Sequence, residues 1–92
     1  MGSESRVRLL VSGRVQGVGF RYAAREAASE CGAAGWVRNL PDGTVEIVAQ
    51  GSAAAIACLR TWAEKGPRHG RVERVSEEPL PPSPLTGFEI RR

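Results

Sequence analysis

Val7, Leu9 and Val11 alternate with Arg6, Arg8 and Ser12 near the start of the chain, the period-two pattern of a strand with one buried face. A first strand is therefore expected over residues 6–12. From Tyr22 to Cys31 the spacing changes: Ala24, Ala27, Ala28 and Cys31 recur every three or four residues, on one face of a helix. Gly32 is suited to close that helix, and the small alanines let it lie close to a sheet. Alternation returns in residues 35–40 and 44–50, where Val45, Ile47 and Ala49 share a face. Pro41-Asp42-Gly43 between them is turn chemistry, because proline presets φ and glycine supplies the left-handed position. The two segments predict a β-hairpin.

Ser52 is a good N-cap for a second helix over residues 53–65, with Ala55, Ile56, Leu59, Trp62 and Ala63 as its apolar stripe. Gly66-Pro67 stops it. Residues 71–76 read as a weaker strand whose Val72 and Val75 break strict alternation, which fits a bulge or an edge position. Four prolines between residues 79 and 84 exclude a central strand there and predict an extended connector. Phe88 and Ile90 alternate in a short last strand over residues 87–91.

The element order is βαββαβ plus that strand. Right-handed crossovers make the strands they join parallel, and the hairpin's second strand fits between them. The fold class expected is α+β: a mostly antiparallel sheet with both helices on one face. The carboxyl ends of the first two strands, at Gly13 and near Asn39, then share one sheet edge. Asn39 comes to stand beside the segment around Arg21, although 18 residues separate the two.

That segment, Gly13-Arg14-Val15-Gln16-Gly17-Val18-Gly19-Phe20-Arg21, joins the first strand to the first helix. Its glycines let the backbone approach a ligand closely. Successive N–H groups at a helix N-terminus favour an anion, and an arginine fork matches phosphate oxygens. The same residues could also make a tight turn with a solvated arginine. A cation at a helix N-terminus is unfavourable by roughly 0.3–1 kcal/mol unless an anion is present, which favours the first reading. A Walker loop is excluded because Val18 stands where its second glycine belongs. The dinucleotide fingerprint fails because Tyr22 stands where its last glycine belongs. A single phosphoryl group is the ligand that remains.

Composition narrows the classes further. Ninety-two residues make one domain, here residues 6–92 behind a disordered tail of residues 1–5. The formal charge is +3, but there is no long basic run and there are five aromatic residues, so nucleic-acid binding is poorly supported. No stretch is apolar enough to span a membrane. The N-terminus lacks a secretory core, and Arg6 breaks the myristoylation pattern. Cys31 and Cys58 are expected to be reduced, apolar fillers of the helix-facing core, with a disulfide between the two helices as the less favoured alternative. His69 with two distant cysteines makes no metal set. A cytoplasmic monomer without metal or other cofactor is expected.

The glycine-rich segment, then Gly35-Trp36-Val37-Arg38-Asn39 with Asp42-Gly43-Thr44-Val45-Glu46, and the closing Phe88-Glu89-Ile90, resemble the acylphosphatase family in order and spacing over nearly the whole chain. The resemblance implies a ferredoxin-like sandwich that hydrolyses the carboxyl–phosphate bond of small acyl phosphates. It implies that Arg21 binds the phosphate and Asn39 positions the attacking water. Backbone amides of Gln16, Gly17, Val18, Gly19, Phe20 and Arg21 would complete the cradle. Phe20, Tyr22, Trp36 and Trp62 are read as packing residues, and Arg14 and His69 as exposed. Two alternatives stay open: a non-catalytic phosphate-binding regulatory module, and the acylphosphatase-like domain of larger carbamoyl-transfer proteins handling carbamoyl phosphate. The absence of a second domain after Arg92 weighs against the latter.

Overall fold

The computed structural model describes residues 4–84 and 86–92. Five strands and two helices follow the predicted order: β1 Ser5–Arg14, α1 Phe20–Cys31, β2 Ala34–Asn39, β3 Val45–Gly51, α2 Ala53–Lys65, β4 Arg71–Leu80 and β5 Phe88–Arg91. They form one sheet of order β4-β1-β3-β2-β5, antiparallel except for the β2–β5 pair. This is the ferredoxin-like α+β architecture. Ser5, expected in the tail, opens β1, and Met1 to Ser3 lie outside the described residues.

Period-two alternation explains the layering. Leu9 pairs with Ile47, and Ile47 with Val37, so three fully buried side chains cross the sheet on the helix face. Ala24, Ala27 and Ala28 of α1, with Ala55, Ile56, Leu59 and Ala63 of α2, close over them. Phe20 at the start of α1 meets Trp62 of α2, ring centroids 5.1 Å apart. Ser52 caps α2 by accepting from the Ala55 N–H at 3.1 Å.

β4 is the least regular strand because it is an edge. Its register against β1 shifts between Ser12 and Gly13, the bulge that its broken alternation predicts. It runs on through Pro79 to Leu80, four residues past the predicted end. An edge strand has one unpaired side, so it can hold a proline that a central strand could not. The connector that follows is tied down by polar contacts: Arg6 donates to the Pro81 carbonyl, and the Gln50 carboxamide binds the Ser83 backbone through both its N–H and its carbonyl. Gln50 is buried for that reason. Trp36 packs on the sheet face away from the helices, with the guanidinium carbons of Arg6 and Arg91 at 5.3 and 4.0 Å from its ring centroid.

One expectation is overturned. Cys31 and Cys58 are not separate thiols: they form a disulfide across the two helices, with Cα atoms 5.6 Å apart. Sequence separation says nothing of this proximity, which follows from α1 and α2 lying side by side on the sheet. Cys31 is half-buried and packs against the core as expected, whereas Cys58 is exposed. Closing a loop of this size restricts the unfolded chain by about 3 kcal/mol. Reduction should lower stability by about that much in denaturant unfolding, and a Cys58→Ala variant should match the reduced protein.

Glu46 is the one buried carboxylate among the described residues, its side chain 5% exposed on the open sheet face. Arg8 reaches one of its oxygens at 2.5 Å and Arg38 the other at 2.6 Å. Burial alone would raise its pKa. The hydrogen bonds from Arg8 and Arg38, with their charges, outweigh that and hold it below the usual 4.5. A depressed folded pKa contributes stability above 4.5 that is lost as pH falls through the folded value. Acid unfolding of the wild type should therefore steepen below that pH. Glu46→Gln should flatten this limb and cost about 1–3 kcal/mol at neutral pH.

Candidate active site

The β1–α1 loop leaves the sheet beside its central strands and is fixed from below. Val15 is buried in the core and Val18 packs against it, so the loop backbone is held at both points while Gly17 and Gly19 stay exposed. Gly17 and Gly19 have φ of 74° and 78°, a left-handed conformation that side chains with a Cβ resist. Together they turn the chain so that α1 begins at Phe20, two residues before the predicted start.

Gly19 is the N-cap of α1 and has no side chain to satisfy the helix's first amides; no acidic residue stands in the first turn either. None of the amides from Gln16 to Gly19 donates a hydrogen bond within the described residues. The helix end therefore offers free N–H groups and an uncompensated positive dipole to whatever occupies the loop. Arg21 adds a guanidinium on the same turn. Its Nη1 donates to the Arg91 carbonyl of β5 at 3.2 Å, which ties the side chain to the far edge of the sheet.

Asn39 is the last residue of β2, paired with Val45. β1 and β2 both run antiparallel to the strand between them, so both end on the same edge, and Asn39 comes up beside the loop. Its Oδ1 is buried and has no hydrogen-bond partner among the described residues. A buried acceptor without a donor costs about 1–3 kcal/mol, a cost expected where a reacting partner binds.

These features line one concavity of about 190 Å³, formed by Val15, Gly17, Gly19, Phe20, Arg21, Tyr22, Asn39 and Ile90. Its size suits a phosphoryl group with a small substituent. Of the predicted set, Gly17, Gly19, Phe20, Arg21 and Asn39 are brought together there. Gln16 and Val18 are not on its lining. Tyr22, read from the sequence as packing, is instead 65% exposed at the rim, with Arg25 over its ring at 4.8 Å. A larger groove of about 420 Å³ lies between the start of α2 and the end of β4, where its charged pair Arg60–Glu77 is already matched.

One contact was not legible from the sequence. The Gln16 side chain reaches the β2–β3 turn, where Nε2 donates to the Leu40 carbonyl at 2.8 Å and to the Thr44 carbonyl at 2.9 Å. The turn is also braced internally: Asp42 accepts from the Thr44 hydroxyl at 2.6 Å and from its N–H at 3.0 Å. These bonds, the hydroxyl's first, hold the Asp42 carboxyl below its usual pKa. No group of three or more His, Cys, Asp or Glu side chains that could hold a metal gathers among the described residues.

A ferredoxin-like sandwich with a phosphate-sized loop cradle, an arginine and an asparagine whose Oδ1 is buried is a small α+β protein whose site suits a phosphoryl ligand. Comparison with known proteins makes the assignment specific. The acylphosphatase family model matches residues 7–90. An acylphosphatase of Rubrobacter xylanophilus is 55% identical over 87 residues, covering 94% of this chain and 79% of the relative. The crystal structure of acylphosphatase from Bacillus subtilis superposes with a TM-score of 0.92 at 35% identity, covering 96% of this chain and 99% of that one. A HypF structure from T.kodakarensis superposes with a TM-score of 0.81 at 30% identity, but this chain covers only 12% of it. The chain belongs to the acylphosphatase family and is a hydrolase.

If the free amides bind an anion, inorganic phosphate should raise thermal stability by mass action. At a hundred times its dissociation constant the gain is about 2.7 kcal/mol. Gly19→Ala, which meets no neighbouring atom but strains a φ of 78°, should weaken that gain more than it changes the stability of the free protein.

Proposed function

We propose that the chain hydrolyses the carboxyl–phosphate bond of small acyl phosphates in one step, by in-line attack of water at phosphorus and without a metal ion. Arg21 and the amides from Gln16 to Arg21 hold the non-bridging phosphoryl oxygens. Asn39 holds the water through its side-chain amide. The new P–O bond forms as the P–O bond to the acyl group breaks. The carboxylate leaves without a general acid, and the water's proton passes to a phosphoryl oxygen. Phosphoryl transfer asks a protein mainly for positioning and charge stabilisation, which is what this site can supply.

The observation that carries the reading is the buried, unpartnered Oδ1 of Asn39 on the same concavity as an uncapped helix N-terminus. No histidine, cysteine or carboxylate lines that concavity, so nothing there is suited to form a phospho-enzyme or to titrate near neutrality. The same reading takes the protein as a cytoplasmic monomer that does not act on nucleic acid or at a membrane. Charged side chains and Pro79 along the edge strand β4 disfavour pairing with a second sheet. No helix among the described residues is long and apolar enough to cross a membrane. In a reducing cytoplasm the Cys31–Cys58 pair would open, so its state reports the compartment.

Arg21→Ala should lower kcat/KM for an acyl phosphate by about 10³. Arg21→Lys should recover little, because an ammonium cannot reproduce the planar fork. Asn39→Ala should lower kcat by about 10²- to 10³-fold, to a small but measurable residual rate, while leaving inhibition by inorganic phosphate intact. EDTA should not reduce the rate, and kcat should stay nearly flat from about pH 5 to 8. A fully active Arg21→Ala enzyme would remove the proposal. A folded wild type that binds phosphate without turnover would make the chain a binding module.

A further inference from the structure

Gln16 lies within the cradle loop but does not line the concavity. Both hydrogens of its carboxamide nitrogen are used on the opposite side of the site, on the carbonyls of Leu40 and Thr44. Those carbonyls mark the two ends of the β2–β3 turn. The turn is already closed on itself, by the Leu40 N–H to the Thr44 carbonyl at 2.9 Å and the Gly43 N–H to the Leu40 carbonyl at 3.1 Å. Asp42 braces it from within. The turn therefore keeps its own shape without help. What Gln16 adds is a fixed connection between that turn and the phosphoryl cradle.

Leu40 directly follows Asn39, and Thr44 directly precedes Val45, the residue paired with Asn39 across the sheet. The Gln16 amide thus grips the backbone immediately after Asn39 and immediately before its partner. We infer that Gln16 is a positioning residue for hydrolysis: its carboxamide sets the placement of the Asn39 amide relative to the loop that holds phosphorus. The inference rests on the roles proposed above for Arg21 and Asn39. In-line attack is sensitive to such placement, since an error of about 1 Å can cost on the order of 10²-fold in rate.

The chemistry of the position is selective. Two carbonyl oxygens converge on one atom, so that atom must carry two donors. Glutamine supplies them. Asparagine is shorter by one methylene. An ionised glutamate presents only acceptors to the two oxygens, whereas a protonated one recovers a single donor. The site thus predicts a pH dependence that can be engineered into an enzyme otherwise lacking one.

The test is steady-state hydrolysis of acetyl phosphate with inorganic phosphate as competitive inhibitor, from pH 4.5 to 8. The proteins are wild type, Gln16→Ala, Gln16→Glu, Asn39→Ala and the Gln16→Ala/Asn39→Ala double variant. Gln16→Ala should lose about 10- to 100-fold in kcat. Its inhibition constant for phosphate should stay within about threefold, because the loop amides and Arg21 remain. Gln16→Glu should be as impaired at pH 8 and regain kcat as pH falls, while the wild type stays flat. In the Asn39→Ala background, Gln16→Ala should cost little more, since it acts through Asn39.

Three results would overturn the inference: kcat of Gln16→Ala within twofold of wild type, an additive double variant, or equal losses of kcat and phosphate affinity with no acid recovery in Gln16→Glu. Should Gln16→Ala fail to fold, Gln16→Glu decides: recovery of kcat in acid at an unchanged inhibition constant for phosphate and an unchanged melting temperature supports the inference, and no acid recovery of kcat overturns it. A fully active Asn39→Ala would instead sink the water-positioning reading, and this inference with it. An impaired Asn39→Ala beside an unaffected Gln16→Ala would sink this inference only.

Discussion

β1 and β2 lie on either side of β3 and are both antiparallel to it, and every other feature of the site depends on that arrangement. Two strands so placed must run in the same direction and end on the same sheet edge. The first leaves that edge through a loop with glycines at 17 and 19 into α1, and the second ends in Asn39. Backbone amides without partners therefore stand beside the unpartnered side chain of Asn39, with no long excursion from either strand. The hydrophobic layer of Leu9, Ile47 and Val37 that enforces this register lies beneath the site, so core packing and catalytic geometry share one set of contacts.

The loop is built on withheld compensation. A structural helix start would normally receive a serine, threonine or aspartate cap, as Ser52 provides for α2. α1 has a left-handed glycine there, no acidic residue in its first turn, and an arginine where a cation is mildly unfavourable. Asn39 adds a buried acceptor without a partner. Each departure lowers the stability of the free protein slightly, and on the proposed function each would be offset by the same bound phosphoryl group and water. Compensation for the rest of the fold lies elsewhere: in the Arg8–Glu46–Arg38 cluster, the Gln50–Ser83 clasp and the Cys31–Cys58 link, none of which lines the concavity.

Much of this could be read from sequence because the signals were periodic or local. Alternation in Val7–Leu9–Val11 and Val45–Ile47–Ala49, and the Pro41-Asp42-Gly43 turn, identify strands and their buried faces. The glycine spacing before Arg21 identifies the cradle, and topology alone brings Asn39 to it. What escaped was non-local. The disulfide depends on how two helices lie beside each other, which a spacing of 27 residues does not encode. The run of β4 through Pro79 depends on its being at an edge, and the exposed position of Tyr22 on where α1 begins. The two hydrogen bonds from Gln16 to the turn depend on a side-chain direction that no pattern of polar and apolar residues records.

On the proposed mechanism the protein grips the phosphoryl group and directs water to phosphorus rather than to the acyl carbon. Hydrolysis of an acyl phosphate in ¹⁸O-labelled water, followed by mass analysis of both products, tests this most directly. The label is expected in inorganic phosphate, with the carboxylate unlabelled. Label in the carboxylate would mean attack at carbon and would contradict the roles given to the loop, Arg21 and Asn39 together.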